Sequence, residues 1–214
     1  MRSDSDLARR LVELGVATLH ESSRRRSLAR GILLLVGEPF AGRAVTVGLP
    51  AGDNLGVHLA LEAAPAGSVV CVASAGRGLY GVLGDLLLES GRARGVAGFA
   101  IDDGIRDMAS LAGPPSVAAL GVSARGTVKR RLRQPVGAGV PLGGVLVAAD
   151  DWIVCDADGV CVVPQRDVDE VIERAESRVE HEDGLRERLR GGTPSGTLLA
   201  LSADPPASIE RGSG

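Results

Sequence analysis

The sequence is poor in aromatic side chains. Phe40, Tyr80, Phe99 and Trp152 are its only aromatic residues, and they make up 2% of the 214 positions. Because proteins that stack nucleic-acid bases need several such rings, we do not expect a base-stacking platform. The 24 basic and 27 acidic residues give a net charge of −3, which also argues against nucleic-acid binding. The hydrophobic core must therefore be built from aliphatic side chains.

Lysine is almost absent. Lys129 is the only one, and it stands in the basic run Lys129-Arg130-Arg131. An aldolase that forms a Schiff base needs a desolvated lysine in its pocket. A single lysine within a basic run therefore disfavours Schiff-base chemistry, and a metal ion would have to stabilise any carbanion.

Cysteine and long apolar runs are also scarce. Cys71, Cys155 and Cys161 stand in apolar segments without C-x-x-C spacing, so we expect buried free thiols in a reducing compartment. The three histidines lack zinc-site spacing. No signal peptide precedes the first predicted helix, and no apolar run reaches the roughly 18 residues of a membrane span. We expect a cytoplasmic protein without membrane contact.

The hydrophobic pattern predicts an α/β fold with a mixed sheet. Residues 1–192 are expected to form a single domain, and residues 193–214 a tail rich in Gly, Ser and Pro. Between residues 136 and 164 the apolar runs are short, which favours antiparallel strands. Four main helices are predicted: the first begins at Asp4 or Ser5, the second covers 54–64, the third ends near Arg94 and the fourth covers 167–190. The main predicted strands cover 44–49, 68–73, 95–101 and 116–122.

Two carboxylates and a guanidinium form the most informative pattern. Asp85 begins a predicted helix, and after twenty intervening residues Arg106 and Asp107 follow the next predicted strand. Because a βαβ unit brings successive strand ends to one sheet edge, these residues should meet in a crevice. Carboxylate oxygens suit Mg²⁺ or Mn²⁺, and arginine suits an anionic substrate. The pattern predicts a site for a divalent cation and a small acid.

A second motif allows another interpretation. Residues 76–81 read Gly-Arg-Gly-Leu-Tyr-Gly between a predicted strand and a predicted helix, and Asp102 follows about twenty residues later. This is the dinucleotide-binding pattern, in which glycines admit the pyrophosphate to a helix N-terminus. However, the unit does not open the chain, and no second mononucleotide-binding half follows. Even without a dinucleotide, the first-turn amides near Asp85 could hold a small carboxylate.

Several motifs together resemble one protein family. The sequence is similar to the class II pyruvate aldolases that cleave 4-hydroxy-4-methyl-2-oxoglutarate and to their relatives, the regulator of ribonuclease E activity A proteins. The resemblance covers roughly residues 7–192. Besides Asp85, Arg106 and Asp107, it is carried by residues 15–21, 41–47, 52–54, 94–98, 102–105 and 156–160.

The resemblance implies a three-layer β/β/α fold of swivelling-domain type, assembled as a homotrimer or hexamer. By position, Gly84, Asp85, Leu86, Leu87 and Arg106 should bind the pyruvate portion of the substrate, with Asp85 and Arg106 catalytic, and Asp107 should hold the metal. A neighbouring subunit is expected to contribute an acid, for which the candidates are Glu180 and Glu182.

Three functional hypotheses follow. The first is a metal-dependent aldolase that releases pyruvate from a small 2-oxo acid and also decarboxylates oxaloacetate. The second is a non-enzymatic trimer that binds a protein partner, as the ribonuclease regulators do. The third is a dinucleotide-binding protein that uses residues 76–81.

Overall fold

The computed structural model describes residues 3–25 and 27–201. The helices are α1 Asp4–Leu14, α2 Val16–Ser22, α3 Leu55–Ala63, α4 Asp85–Ala93, α5 Val168–Arg190 and α6 Ser195–Leu198. The strands are β1 Leu28–Ala29, β2 Leu33–Val36, β3 Phe40–Leu49, β4 Val69–Ser74, β5 Gly81–Leu83, β6 Gly98–Ile105, β7 Ser116–Val122, β8 Val140–Leu142, β9 Val145–Val147, β10 Trp152–Asp156 and β11 Gly159–Val163. Single 3₁₀ turns cover Met108–Ser110 and Gln165–Asp167.

The main sheet is mixed, as the sequence predicts. Its nine strands follow the order β1-β11-β10-β3-β4-β6-β7-β2, with β5 paired beside β6. Strands β3, β4, β6 and β7 run parallel, whereas β10, β11, β1 and β2 pair antiparallel. The expected antiparallel hairpins of the second half are therefore confirmed. The parallel strands place their carboxyl ends at one edge of the sheet.

The core lies on both faces of this sheet, which gives three layers. Strand β4 shows the alternation: Val70 and Val72 pack with the helices α3 and α4, whereas Val69 and Cys71 pack with the β8–β9 hairpin. Leu61 and Leu88 come from the helical side. All three cysteines are buried and free, as expected.

The described residues group into two compact units, which divide between Glu176 and Ser177. The second unit contains the end of α5, where Arg186 bonds to Glu182 and Asp183, together with α6. Residues 202–214 of the predicted tail lie outside the described residues. Within the described ranges, no helix combines the length and the apolar character that a membrane span requires.

Two local predictions are wrong. The strand expected over 95–101 covers Gly98–Ile105, so Asp102 and Asp103 belong to β6 and are buried rather than lying in a loop. Residues 22–27 are all polar, which predicts a solvated segment, but Ser22 and Ser27 are buried. Residue 26 of that run lies outside the described residues.

Candidate functional site

Helix α4 begins at the carboxyl edge of the sheet. Strand β5 leads into Gly84, and Asp85 is the first helical residue. The amides of the first turn of a helix have no partner within that helix. One of them is already engaged, since the N–H of Leu86 donates to Oδ1 of Asp85 at 2.8 Å. A bound carboxylate would therefore compete with Asp85 for that amide.

Arg106 and Asp107 leave the neighbouring strand β6. The N–H of Arg106 donates to the carbonyl of Leu83 at 2.9 Å, which ties the end of β6 to β5. Asp107 adopts a left-handed backbone with φ 62° and ψ 34°, and this conformation turns the chain into the following 3₁₀ turn. Both side chains are about 40% exposed (41% and 39%), so solvent and a small ligand can reach them.

The two charged groups face each other. Nε of Arg106 lies 3.4 Å from Oδ2 of Asp107. This distance allows an ion pair, but the groups are not aligned for a hydrogen bond, and the buried Nε has no acceptor among the described residues. Arg106 therefore retains an unfilled donor at the site.

Gly84 joins the helix start to these two residues. A Cβ atom at this position would lie 2.3 Å from Oδ2 of Asp107 and 3.1 Å from Nε of Arg106. Any larger residue would displace the carboxylate. Gly84, the residue that precedes Asp85, therefore lies against both Arg106 and Asp107, and the segments that carry the predicted pattern meet here.

Asp103 organises the glycine loop before β5. Its fully buried carboxylate accepts hydrogen bonds from Ser74 Oγ at 2.5 Å, from the N–H of Tyr80 at 3.0 Å and from the N–H of Gly104 at 2.8 Å. A Cβ on Gly76 would lie 2.7 Å from this carboxylate. Glycine at position 76 therefore allows the loop to pack closely around the buried carboxylate of Asp103.

The expected helix directly after this glycine motif is absent. Strand β5 stands between the motif and α4, and Gly81 is part of that strand. Asp102, the expected ribose ligand, is buried and lies 3.2 Å from Nη2 of Arg77. Burial raises the pKa of Asp102, while the charge of Arg77 opposes the shift. The motif does not place its glycines at a helix N-terminus, as a dinucleotide site requires.

Asp53 and Asn54 lie next to β5, in the segment 52–54 that carries part of the family resemblance. Asn54 Nδ2 donates to the carbonyl of Val82 at 3.0 Å, while its buried Oδ1 has no partner among the described residues. His58 lies one helical turn further along α3, and its Nε2 is likewise buried and unpartnered among the described residues. Burial, and then the charge of Lys129, lower the pKa of His58. Two buried polar atoms without a partner among the described residues therefore lie on the segment next to β5.

The donors at this edge fit a hard divalent cation better than zinc. Among the described residues, no group of three His, Cys, Asp or Glu side chains could enclose a metal ion. Mg²⁺ needs no such cage, because it commonly binds through one or two carboxylates and keeps several waters. Asp107, half-exposed beside the space left by Gly84, offers such a carboxylate.

The two candidate acids from a neighbouring subunit lie in the second compact unit. Glu182 is held by two arginines: Nε of Arg178 and Nη2 of Arg186 each lie 2.9 Å from its carboxylate. Glu180 is exposed on the same helix. Their contribution to a site in another copy stays a prediction.

Comparison with known proteins adds a family context. The family profile described as RraA-like, aldolase/RraA, matches residues 6–162. A protein of Halalkalibacterium halodurans named "Putative 4-hydroxy-4-methyl-2-oxoglutarate aldolase" is 33% identical over 152 residues, which cover 71% of each chain.

Solved structures show the same fold. The chain superposes on Streptomyces coelicolor RraAS2, described as an unusual member of the RNase ES inhibitor RraA protein family, with a TM-score of 0.74 and 27% identity over 87% of this chain and 98% of that one. The RNA-processing inhibitor RraA from Thermus thermophilis matches with a TM-score of 0.62 and 26% identity, over 70% of this chain and 92% of that one.

Proposed function

Because the chain belongs to the aldolase/RraA family, we propose that it is a carbon–carbon lyase that releases pyruvate from 4-hydroxy-4-methyl-2-oxoglutarate or a related 2-oxo acid. One observation carries this proposal: the start of α4 and the end of β6 meet at Gly84, where a Cβ atom would touch both Arg106 and Asp107. A single anionic ligand at this point could contact the helix amides and the guanidinium together.

The 2-oxo acid end of the substrate would lie against α4. Its carboxylate would accept hydrogen bonds from the Leu86 and Leu87 amides, replacing Asp85 at the first of these. The guanidinium of Arg106, whose side chain is 41% exposed, would bind the same end through charge-assisted bonds. These contacts hold the substrate in one orientation, which is a large part of the rate gain available to an enzyme.

Asp107 would hold Mg²⁺ or Mn²⁺, with Asp85 reaching the ion through water. When bound, the ion supplies Lewis-acid polarisation of the 2-oxo group. Asp107 is suited to this role because it is half-exposed and because Gly84, which has no side chain, leaves room for its carboxylate.

Cleavage breaks the bond between C3 and C4 of the substrate. The hydroxyl on C4 loses a proton and becomes a carbonyl, while the electron pair of the broken bond moves toward the 2-oxo group. C3 then takes up a proton to become the methyl group of pyruvate. Asp85 is exposed and could, with Arg106, orient a water that carries these protons. Arg106 would also stabilise the negative charge that develops on the 2-oxo oxygen.

Assembly with other copies would complete the site. Large apolar side chains are exposed near it: Leu86 is 81% exposed, Val122 61% and Leu79 57%. Clustered exposed apolar residues typically mark an interaction surface. We propose a closed homo-oligomer, a trimer or hexamer, that covers them. Light scattering during size exclusion tests this, and a fully active monomer would contradict it.

The proposed activity is tested by coupling pyruvate release to lactate dehydrogenase. We expect turnover of 4-hydroxy-4-methyl-2-oxoglutarate, and of oxaloacetate by decarboxylation, in the presence of Mg²⁺ or Mn²⁺. Replacing Arg106 with lysine keeps the charge but removes the planar donors, so turnover should fall about 10²-fold, the loss typical of a charge-stabilising group. Wild-type turnover retained by Arg106→Lys would remove the assigned role.

A second function is favoured by the Streptomyces coelicolor relative, which is described as belonging to a ribonuclease inhibitor family. On this alternative, the chain binds a ribonuclease and performs no chemistry. Inhibition of a ribonuclease by Asp107→Asn, together with inactivity of the wild type toward every 2-oxo acid tested, would support the alternative over the lyase.

A further inference from the structure

A pocket separate from the candidate site lies between the turn after α2, the β8–β9 hairpin and the start of α5. Its volume is about 460 Å³, which falls within the range of pockets that bind small molecules. It is lined by none of the residues that we assign to the substrate or to the metal. Three arginines line it instead: Arg24 follows α2, Arg166 precedes α5 and Arg174 lies within α5.

The acids that line this pocket leave one positive charge unbalanced. Nη1 of Arg174 lies 2.6 Å from Oε1 of Glu170, and Nε of Arg166 lies 3.5 Å from Oδ1 of Asp167. Among the described residues, no further acid lines the pocket. Within the same part of the chain, no acid pairs with Arg24. The pocket therefore has a surplus of one positive charge, which suits a ligand with one negative charge.

The turn that carries Arg24 has an unusual backbone. Arg24 and Arg25 are both left-handed, with φ 57° and 58°, a conformation that residues other than glycine seldom adopt. Backbone hydrogen bonds close the turn, from the N–H of Ser23 to the carbonyl of Leu19 at 2.9 Å and from the N–H of Arg25 to the carbonyl of His20 at 3.0 Å. Strained backbone of this kind is concentrated at functional sites, and here it holds Arg24 at the pocket.

Two residues of the pocket wall contain polar atoms that the chain does not satisfy. Oγ of Ser23 and Nε of Arg174 are buried and have no hydrogen-bond partner among the described residues. Buried polar atoms in folded proteins are nearly always hydrogen-bonded. Both groups can donate a hydrogen bond, so the partner that they lack is an acceptor. The hydroxyl of Ser23 can turn toward such an acceptor by rotation about one side-chain bond.

The β8–β9 hairpin supplies an apolar wall to the same pocket. Val145 and Leu146 of β9 line it together with Pro164. Leu146 is 72% exposed, so most of its side chain is available for contact with a ligand. An apolar group that packs here is removed from water, which favours binding. The pocket therefore combines one unpaired cation with an apolar surface.

We propose that this pocket binds a small amphipathic carboxylate, a monocarboxylic acid with an apolar chain. Its carboxylate pairs with the guanidinium of Arg24, and its chain packs against Leu146 and Pro164. A single negative charge matches the single unpaired cation, whereas the second charge of a dicarboxylate or a phosphate would find no partner. The proposal is independent of the lyase function, because the residues that line the pocket take no part in the candidate site.

The test titrates the full-length, ¹⁵N-labelled protein with octanoate, octan-1-ol and octylamine and follows the backbone amide resonances. The three probes share one alkyl chain and differ in the charge of the head group. We expect octanoate to bind with a Kd on the order of 1 mM, which is usual for a ligand of about ten non-hydrogen atoms. Octan-1-ol should bind about fivefold more weakly, the effect of one exposed ion pair, and octylamine more weakly still. Octanoate should shift the amides of residues 23–25, 145–146 and 165–171.

Two variants separate the charged contact from the apolar one. Arg24→Gln removes the surplus charge and keeps an unbranched side chain, so the affinity for octanoate should fall about fivefold, to that for octan-1-ol, which should not change. Leu146→Ser removes apolar contact area, so both affinities should fall by a similar factor of about three. The matched control is Arg9→Gln, which removes one charge from a side chain on α1 that is 71% exposed, and it should bind octanoate like the wild type.

Several results would overturn the proposal. Absent octanoate binding, or equal wild-type affinities for octanoate and octan-1-ol, would show that the pocket does not select a carboxylate. Shifts confined to residues 84–87 and 106–107 would place octanoate in the candidate site instead. An octanoate affinity that Arg24→Gln leaves unchanged, or that Arg9→Gln lowers equally, would remove the role of Arg24.

Discussion

A Cβ atom on Gly84 would lie 2.3 Å from Oδ2 of Asp107. The residue before α4 must therefore be a glycine if the carboxylate is to keep its place. We expect Gly84→Ala to lower turnover at least tenfold, as misplacement of a catalytic group does, with little change in melting temperature, because a side chain can move aside. The control is Gly121→Ala, whose Cβ would meet no atom within 4 Å. Equal turnover of the two variants would contradict the proposed role of Asp107.

Asp107→Asn removes the charge while keeping the shape. Asparagine tolerates the left-handed backbone found here, with φ 62°, so the fold should be retained. Loss of the only carboxylate we assign directly to the metal should weaken Mn²⁺ binding and lower turnover by about 10²-fold. Electron paramagnetic resonance of free Mn²⁺ measures the first effect. Unchanged Mn²⁺ affinity would place the metal elsewhere.

Asp53→Asn should destabilise the fold most at neutral pH. Burial alone would raise the pKa of Asp53, but hydrogen bonds from the amides of Leu55, Arg130 and Arg131 outweigh it, and the net pKa is lowered. Its stabilising contribution is therefore present above the unfolded pKa near 3.8 and is lost as the pH falls through the folded pKa.

Urea unfolding of the Asp53→Asn variant should show that the free energy of unfolding falls by about 1–3 kcal/mol at pH 7. The side-chain NH₂ of asparagine would then face a backbone N–H that donates to a carboxylate oxygen in the wild type. The loss should be smaller near pH 3. A loss that is the same at both pH values would mean that the charge of Asp53 does not stabilise its hydrogen bonds to the amides of Arg130 and Arg131.

Asp102→Asn should show the opposite pH dependence. Burial raises the pKa of Asp102 above its ordinary value despite the charge of Arg77. Folding with an ionised Asp102 is therefore unfavourable above the folded pKa, and this cost is absent below the unfolded pKa. Relative to the wild type, the variant should gain stability as the pH rises from about 4 to 7. A relative loss over that range would show that the pair with Arg77 dominates.

Much of the architecture follows from local patterns. A short apolar run after Pro114-Pro115 correctly located β7, and apolar residues at helical spacing predicted α1 and most of α5. The convergence of Asp85 with Arg106 and Asp107 followed from the chirality and parallel order of a βαβ unit. These features depend on short-range periodicity or on the general rules that govern how strands and helices are connected.

The missed features depend on partners that are distant in sequence. Asp102 and Asp103 resemble loop residues, but Asp103 is satisfied inside the strand by Ser74 and Tyr80. Strand β5 has three residues, too few for any period to show. The hydrogen bonds that Asp53 accepts could not be predicted, because their amide donors at Arg130 and Arg131 follow 77 and 78 residues later. Local propensity cannot reveal such contacts.

The proposal that the protein is a metal-dependent lyase is tested most directly by removing and then restoring the divalent ion in the wild-type protein. Pyruvate release from 4-hydroxy-4-methyl-2-oxoglutarate is measured with Mg²⁺, again after complete removal of divalent ions with EDTA and dialysis, and again after Mg²⁺ or Mn²⁺ is restored. We expect turnover to fall to the uncatalysed rate and then to recover. Turnover that survives chelation would contradict the assignment of Asp107 as a metal ligand, and pyruvate release that never exceeds the uncatalysed rate would contradict the lyase itself.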